Sequence, residues 1–231
     1  MGSAVGVNDR RRGGDAGDQP ARRLSAVERR EQLFDVALRV FAERGYRAAT
    51  MDDIAEAAGV TKPLVYQHFS SKRALYLELV ESVSQELLAA IAEATAQAEG
   101  PRQQVELGFA AYFRMVVQKE AAFRLLYGRE VADDPELGSA TRQVEKAIAE
   151  AIDPLITAGL EPEHRAFLAY AVVGMAEGAS RKWLADRSRA ESHGLAPAAN
   201  SSSSDLESEA ARLASRLADL AWAGLRSVHA D

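Results

Sequence analysis

The run from Thr50 to Lys72 constrains this chain most, because two short helical patterns meet there across a single Gly-Val pair. Thr50 can cap a helix, Asp52 and Asp53 suit the positive end of its dipole, and Ile54, Ala55 and Ala58 form its apolar stripe. Gly59 stops that helix, and only Val60 separates it from Thr61, the next capping residue. Pro63 falls in the first turn of the following helix, where its missing N–H does no harm, and Leu64, Val65, Tyr66 and Phe69 continue the pattern. Two short helices joined this way form a helix-turn-helix, with Gly59 supplying the sharp turn. Ala55, Val60 and Val65 are small or apolar where the helices must touch. The second helix can enter a major groove about 12 Å wide. Spacing alone leaves another reading open, a helical hairpin inside a core.

The rest of the chain is also helical in pattern. Ser25 and Glu28 have capping-box spacing, and Leu33, Phe34, Ala37, Leu38 and Phe41 recur at helical intervals up to Gly45. Ser70 or Ser71 caps a fourth helix with Leu75, Leu79, Val83, Leu87 and Ile91 on its apolar side. Beyond Gly100-Pro101, helices are expected at about 102–118, 120–128, 135–158, 162–188 and 205–228. No segment alternates apolar and polar residues, and no unit repeats, so an all-α fold follows. Its expected organisation is a disordered basic arm over 1–24, a three-helix helix-turn-helix domain over 25–75, and a larger helical domain over 76–231. Within the last, 190–204 has Pro197 and Ser201–Ser204 and reads as a mobile loop.

Net charge sharpens the division. The 231 residues carry −6 overall, which argues against a surface that grips nucleic acid everywhere. Residues 1–75 nevertheless carry +3, and the remainder −9. Such asymmetry points to one nucleic-acid-binding end. The chain lacks cysteine, which excludes disulfides, thiolate metal sites and a cysteine nucleophile. Its four histidines, 68, 164, 193 and 229, form no His-Glu-x-x-His, and neither a Gly-rich phosphate loop nor a Gly-x-Ser-x-Gly elbow occurs. Neither an enzyme nor a metal or other cofactor is expected. The longest apolar runs, such as Phe167–Met175, fall far short of a bilayer span, and Met1–Gln19 has no apolar core of a signal peptide. A cytoplasmic protein with no membrane partner is expected.

Phe41-Ala-Glu-Arg-Gly45-Tyr46, followed by Thr50-Met-Asp-Asp-Ile54-Ala55 and by Gly59-Val60-Thr61-Lys62-Pro63-Leu64-Val65-Tyr66-Gln67-His68-Phe69-Ser-Ser-Lys72, resembles the DNA-binding domain of TetR-type transcriptional regulators. The match runs without a gap over about residues 27–80, with Pro63 where glycine is frequent and Met51 where valine or threonine is frequent. The resemblance implies double-stranded DNA as partner. Thr50, at a helix N-terminus, would favour a phosphate, Tyr66 and His68 would donate to phosphates, and Lys72 matches the family's phosphate-gripping lysine. Thr61, Lys62, Pro63, Leu64 and Gln67 would face base edges: Lys62 suits guanine, Gln67 adenine, and Pro63 or Leu64 a thymine methyl. An aromatic at helical spacing is usually core, but the neighbouring His68 and Lys72 favour phosphate contact for Tyr66. In the arm, Arg10–Arg12 read as a solvated tail and Arg22-Arg23 as a minor-groove contact.

The same resemblance implies that the second domain binds a small effector and forms a homodimer. Phe109, Tyr112, Phe113, Val116, Phe123, Leu126 and Tyr127 gather in an aromatic-rich cluster that, taken alone, is as readily plain core; its density of aromatics, with Tyr170 and Gly174 expected alongside, suits an apolar pocket. Glu177 is an effector contact or a surface charge. Ala176, Ala179 and Trp183, with Leu213, Leu217, Leu220 and Trp222, suit a four-helix bundle made by two subunits. Phe123-Arg-Leu-Leu-Tyr127, Val173-Gly-Met175, Trp183-Leu184 and Ala221-Trp-Ala-Gly-Leu225 are similar to the actinobacterial regulators of fatty-acid biosynthesis. That likeness implies a long-chain acyl-CoA as effector.

Overall fold

The computed structural model of the chain describes residues 24–127, 134–156, 159–193 and 202–228. The expected arm, except Leu24, lies outside the described residues, as do 194–201 of the expected loop. Among the described residues there are nine α-helices and no strand: α1 (Ala26–Arg44), α2 (Met51–Ala57), α3 (Lys62–His68), α4 (Lys72–Ala96), α5 (Pro101–Gln118), α6 (Glu120–Tyr127), α7 (Pro135–Ile152), α8 (Pro162–Ser192) and α9 (Ser203–Leu225).

Local chemistry places the helix starts. Ser25 and Glu28 close a capping box, and so do Thr50 and Asp53, while Ser71 accepts from the Ala74 N–H. Thr61 departs from expectation: it is the cap residue by position but makes no side-chain cap bond. Pro63 stands in the first turn without an N–H, and the Leu64 N–H is taken by the Thr61 carbonyl at 3.0 Å. The Thr61 hydroxyl is therefore left facing outward. Gly59 has φ +65°, a left-handed conformation that a side chain would resist. Pro154 corrects the expected 135–158 helix. It lacks a donor, so the α-helix ends at Ile152 and passes into a 3₁₀ turn, Asp153–Leu155.

Leu33, Ile54, Val65 and Leu75 are fully buried and hold α1 to α4 together. Each contributes about 1.5–3 kcal/mol of transfer free energy. Phe41, Tyr46 and Tyr76 pack as rings with centroids 4.9–5.8 Å apart, and the Arg30 guanidinium lies 4.9 and 4.8 Å from the Phe34 and Phe69 rings. Tyr76 thus belongs to the first unit's core, although the expected boundary falls at residue 75. α4 itself runs unbroken from that unit into the second. There α5 lies between α4 and α9, α7 packs on α8 and α4, and α6 packs on α1.

Candidate functional site

The exposed side of α3 carries most of the residues expected to face DNA. Thr61, Lys62, Pro63, Tyr66 and Gln67 are exposed, and Leu64 and His68 are half-buried. Tyr66 is 45% exposed, which removes it from the core. Val65 alone points inward. Lys62 Nζ lies 2.8 Å from Asp52 of α2, an exposed ion pair, so this cation is held toward α2 in the free protein. Thr50 is exposed, but its hydroxyl accepts from the Asp53 N–H at 3.1 Å and donates to the Asp53 carboxylate at 2.7 Å. These bonds hold the Asp53 carboxyl below its usual range, and Arg44 adds to the effect.

Lys72, expected at a phosphate, is engaged within the free protein. Its ammonium donates to the carbonyls of Tyr46 at 2.7 Å and Ala49 at 2.8 Å, with Arg47 at 3.4 Å, and sits 4.5 Å from the centroid of the Tyr46 ring. Carbonyls after α1 converge there, so in the free protein the lysine ties the α1–α2 turn to the start of α4.

The second unit contains a half-open cavity of about 450 Å³. Phe109 and Tyr112 line it, as expected. Ile91 of α4, Ile148 and Ile152 of α7, Val172, Val173 and Ala176 of α8, and Trp222 and Leu225 of α9 complete most of the wall. Phe113, Val116, Phe123 and Leu126, expected in the pocket, are instead almost wholly buried behind it. Their side chains fill the seams between α5, α6 and neighbouring helices. Tyr127 lines a different cleft of about 650 Å³ below the reader, together with Arg44, Tyr46, Arg124 and Arg181. A thin polar partition separates the two spaces: Tyr112 Oη lies 3.3 Å from Tyr127 Oη and 3.2 Å from Ser180 Oγ. Burial, opposed by these hydrogen bonds, pushes the Tyr112 hydroxyl up to about 12. Glu177 does not reach the cavity: it pairs with Arg181 beside Glu145.

On α8 the expected effector residues and the expected interface residues differ in exposure from what those roles require in the protomer. Tyr170 and Gly174, expected at the effector, lie on an exposed stripe with Phe167, Ala171 and Gly178. Ala176 and Trp183, expected at the subunit interface, point inward. Ala176 lines the cavity, and the Trp183 indole N–H donates to Glu209 at 2.8 Å within the same protomer. Ala179, Leu213 and Leu217 are half-buried against the core, and Trp222 borders the cavity. Of the expected interface residues, Leu220 alone is freely exposed, at 62%. α8 is apolar on both flanks and small residues occur on both, which composition cannot separate. The cavity residues Ile148, Ile152, Val172 and Val173 were missed, although their periodic apolar spacing in α7 and α8 was available. Arg226 was missed because only the antiparallel pairing of α5 and α9 brings it to this wall.

A helix-turn-helix joined by a shared helix to a cavity-bearing helical unit defines a class of DNA-binding regulators with a separate sensing part. Residues 33–79 match the family model "Bacterial regulatory proteins, tetR family". Over 170 residues the chain is 33% identical to the HTH-type transcriptional activator FasR of Mycolicibacterium smegmatis, covering 73% of this chain and 78% of that one. The chain belongs to the TetR family and is a transcriptional regulator, not an enzyme. Its fold is shared with a TetR-like regulator from Rhodococcus sp. RHA1, with TM-score 0.66 and 23% identity over 89% of this chain and all of that one. It is shared also with FadR from Bacillus subtilis in complex with stearoyl-CoA, with TM-score 0.62 and 16% identity over 81% and 97%. Among the described residues no helix is long and apolar enough to cross a membrane.

Proposed function

We propose that the protein binds a pseudo-palindromic operator as a homodimer and that its DNA affinity is switched by a long-chain acyl group, in the form of a long-chain acyl-CoA. The observation that carries this reading is the apolar cavity of about 450 Å³ in a chain whose other end is a helix-turn-helix. A cavity of this size lies in the usual range for small-molecule sites. Likeness to FasR, and to a FadR whose structure holds stearoyl-CoA, supports the acyl reading.

In this reading Thr61, Lys62, Pro63, Leu64 and Gln67 face bases, and Tyr66 and His68 hold phosphates. Lys62 must leave Asp52 to do so. Thr50 and Lys72 keep the α1–α2 turn and the recognition helix in place. Two subunits meet through the outward stripe of α8 (Phe167, Tyr170, Ala171, Gly174, Gly178) and Leu220 of α9. Such a dimer reads adjacent half-sites when its recognition helices stand about 34–36 Å apart. Effector in the cavity presses on Ile91 of α4, whose first turns are built into the reader, and so favours one spacing of the heads. A coupling of about 1–3 kcal/mol changes DNA affinity roughly 5–150-fold.

Fluorescence anisotropy with a DNA fragment from the gene's own upstream region, over a salt series and with palmitoyl-CoA added, tests this. Specific binding with a modest salt slope, shifted several-fold by palmitoyl-CoA, is expected. Absence of specific, salt-sensitive binding to any fragment overturns the DNA reading. Specific binding that ignores palmitoyl-CoA overturns the acyl effector.

A further inference from the structure

We propose that the cavity selects a single-tailed amphiphile with an anionic head, and that Arg226 is the group that reads the head. The inference rests on the cavity being the effector site and adds which end of the ligand is recognised and by what charge.

The lining divides into an interior that asks nothing polar of a ligand and one end that does. Thr95 is buried, and its hydroxyl donates to the Ile91 carbonyl at 2.9 Å. The Tyr112 hydroxyl is already engaged by Ser180 and Tyr127. Between them lie Val105, Phe109, Ile148, Ile152, Val173 and other apolar side chains. A methylene chain fits this interior, whereas a buried polar group there would go unpaired.

The other end is set by the first turn of α5 and the end of α9. These two helices run antiparallel: Arg102 lies 3.9 Å from Asp219, and farther along Glu120 and Glu209 both reach Arg187. Pro101, Gln104, Trp222, Leu225 and Arg226 all line the cavity. Arg226 is the sole charged residue in the cavity lining, is exposed, and has no ion-pair partner among the described residues. The carboxylate two turns earlier on its helix, Asp219, already faces Arg102. Among the described lining residues there is no carboxylate to receive a cationic head. A guanidinium binds a carboxylate or phosphate through paired donors. From Gln104 to Tyr112 the α5 wall rises about 12 Å, which leaves the tail directed at the tyrosine partition.

The test is equilibrium binding to the full-length protein, by calorimetry or displacement of a fluorescent fatty acid. The probes are palmitoyl-CoA, palmitate and uncharged hexadecanol, each below its aggregation concentration. Arg226→Gln is expected to weaken palmitoyl-CoA and palmitate about tenfold, the effect of one charge-assisted hydrogen bond near solvent, and to leave hexadecanol unchanged. Arg226→Lys is expected to recover part of the loss for both anions. Ile148→Trp and Val173→Trp, each checked for helicity, are expected to exclude all three probes. If wild type binds all three and the tryptophan variants block them, yet Arg226→Gln weakens none or all equally, the head inference falls and the cavity reading stands. If wild type binds none of the three, or the tryptophan variants bind them normally, the cavity reading falls and takes this inference with it.

Discussion

Lys72 illustrates what a single residue's surroundings add to its identity. Its ammonium closes the turn after α1 by donating to the carbonyls of Tyr46 and Ala49. Lys72→Ala is therefore expected to lower stability by about 1–2 kcal/mol, since hydrogen bonds to a charged donor are stronger than average but this site is part-exposed. For a chain of this size that is a fall in Tm of roughly 2–8 °C, read by thermal circular dichroism. DNA affinity is expected to drop in parallel. An unchanged Tm with weakened DNA binding would restore the phosphate grip. The lysine was visible in the sequence, but its target was not, because carbonyls 23–26 residues upstream approach it only once α1 and α2 have folded back. Capping chemistry was legible at Ser25 and Thr50, where donor and acceptor stand three residues apart. At Thr61 the rule failed because the amide three residues on, that of Leu64, bonds to the Thr61 carbonyl and not to its hydroxyl, and Pro63 offers none.

Between elements, the contact of α7 with α8 brings Glu145 against Glu177. Burial pushes the Glu145 carboxyl up first, and the neighbouring Glu177 pushes it further, while Arg181 and Arg142 oppose the shift. A raised carboxyl binds its proton more tightly in the folded chain than in the unfolded one. Its contribution to stability is thus complete below the ordinary carboxylate range and is lost as pH rises through the raised value. Glu145→Gln keeps the shape and cannot ionise. Urea midpoints taken from pH 4 to pH 7 are expected to move in favour of the variant as pH rises, and a constant difference would refute this. Helix positions were largely readable from periodicity and from Gly and Pro punctuation. Which flank of α8 faces inward was not, because Phe167 and Tyr170 on one side are as apolar as Val173 and Trp183 on the other. Only the positions of α5, α7 and α9 decide that α8 presents Ala176 to the cavity and Gly174 to solvent.

For the molecule as a whole, the protomer leaves Phe167 70% and Leu220 62% exposed, with Tyr170 and two glycines nearby. In the dimer proposed above, this exposed apolar stripe is the assembly face. Phe167→Glu and Leu220→Glu touch neither the cavity nor the core. Together they are expected to weaken dimerisation by at least about tenfold, one buried aromatic anchor being worth that much or more. Light scattering behind size-exclusion chromatography reads this, and helicity and Tm of the protomer should hold. A double variant that stays dimeric would place the interface elsewhere. The overall charge division was legible from the start, with the acidic balance confined to the part beyond residue 75. The 31-residue α8 carries a last consequence. Its two flanks are separate surfaces on one rod, and no residue belongs to both. A substitution on the cavity flank, such as at Val173, can therefore change the shape of the cavity without altering the exposed stripe of Phe167 and Tyr170.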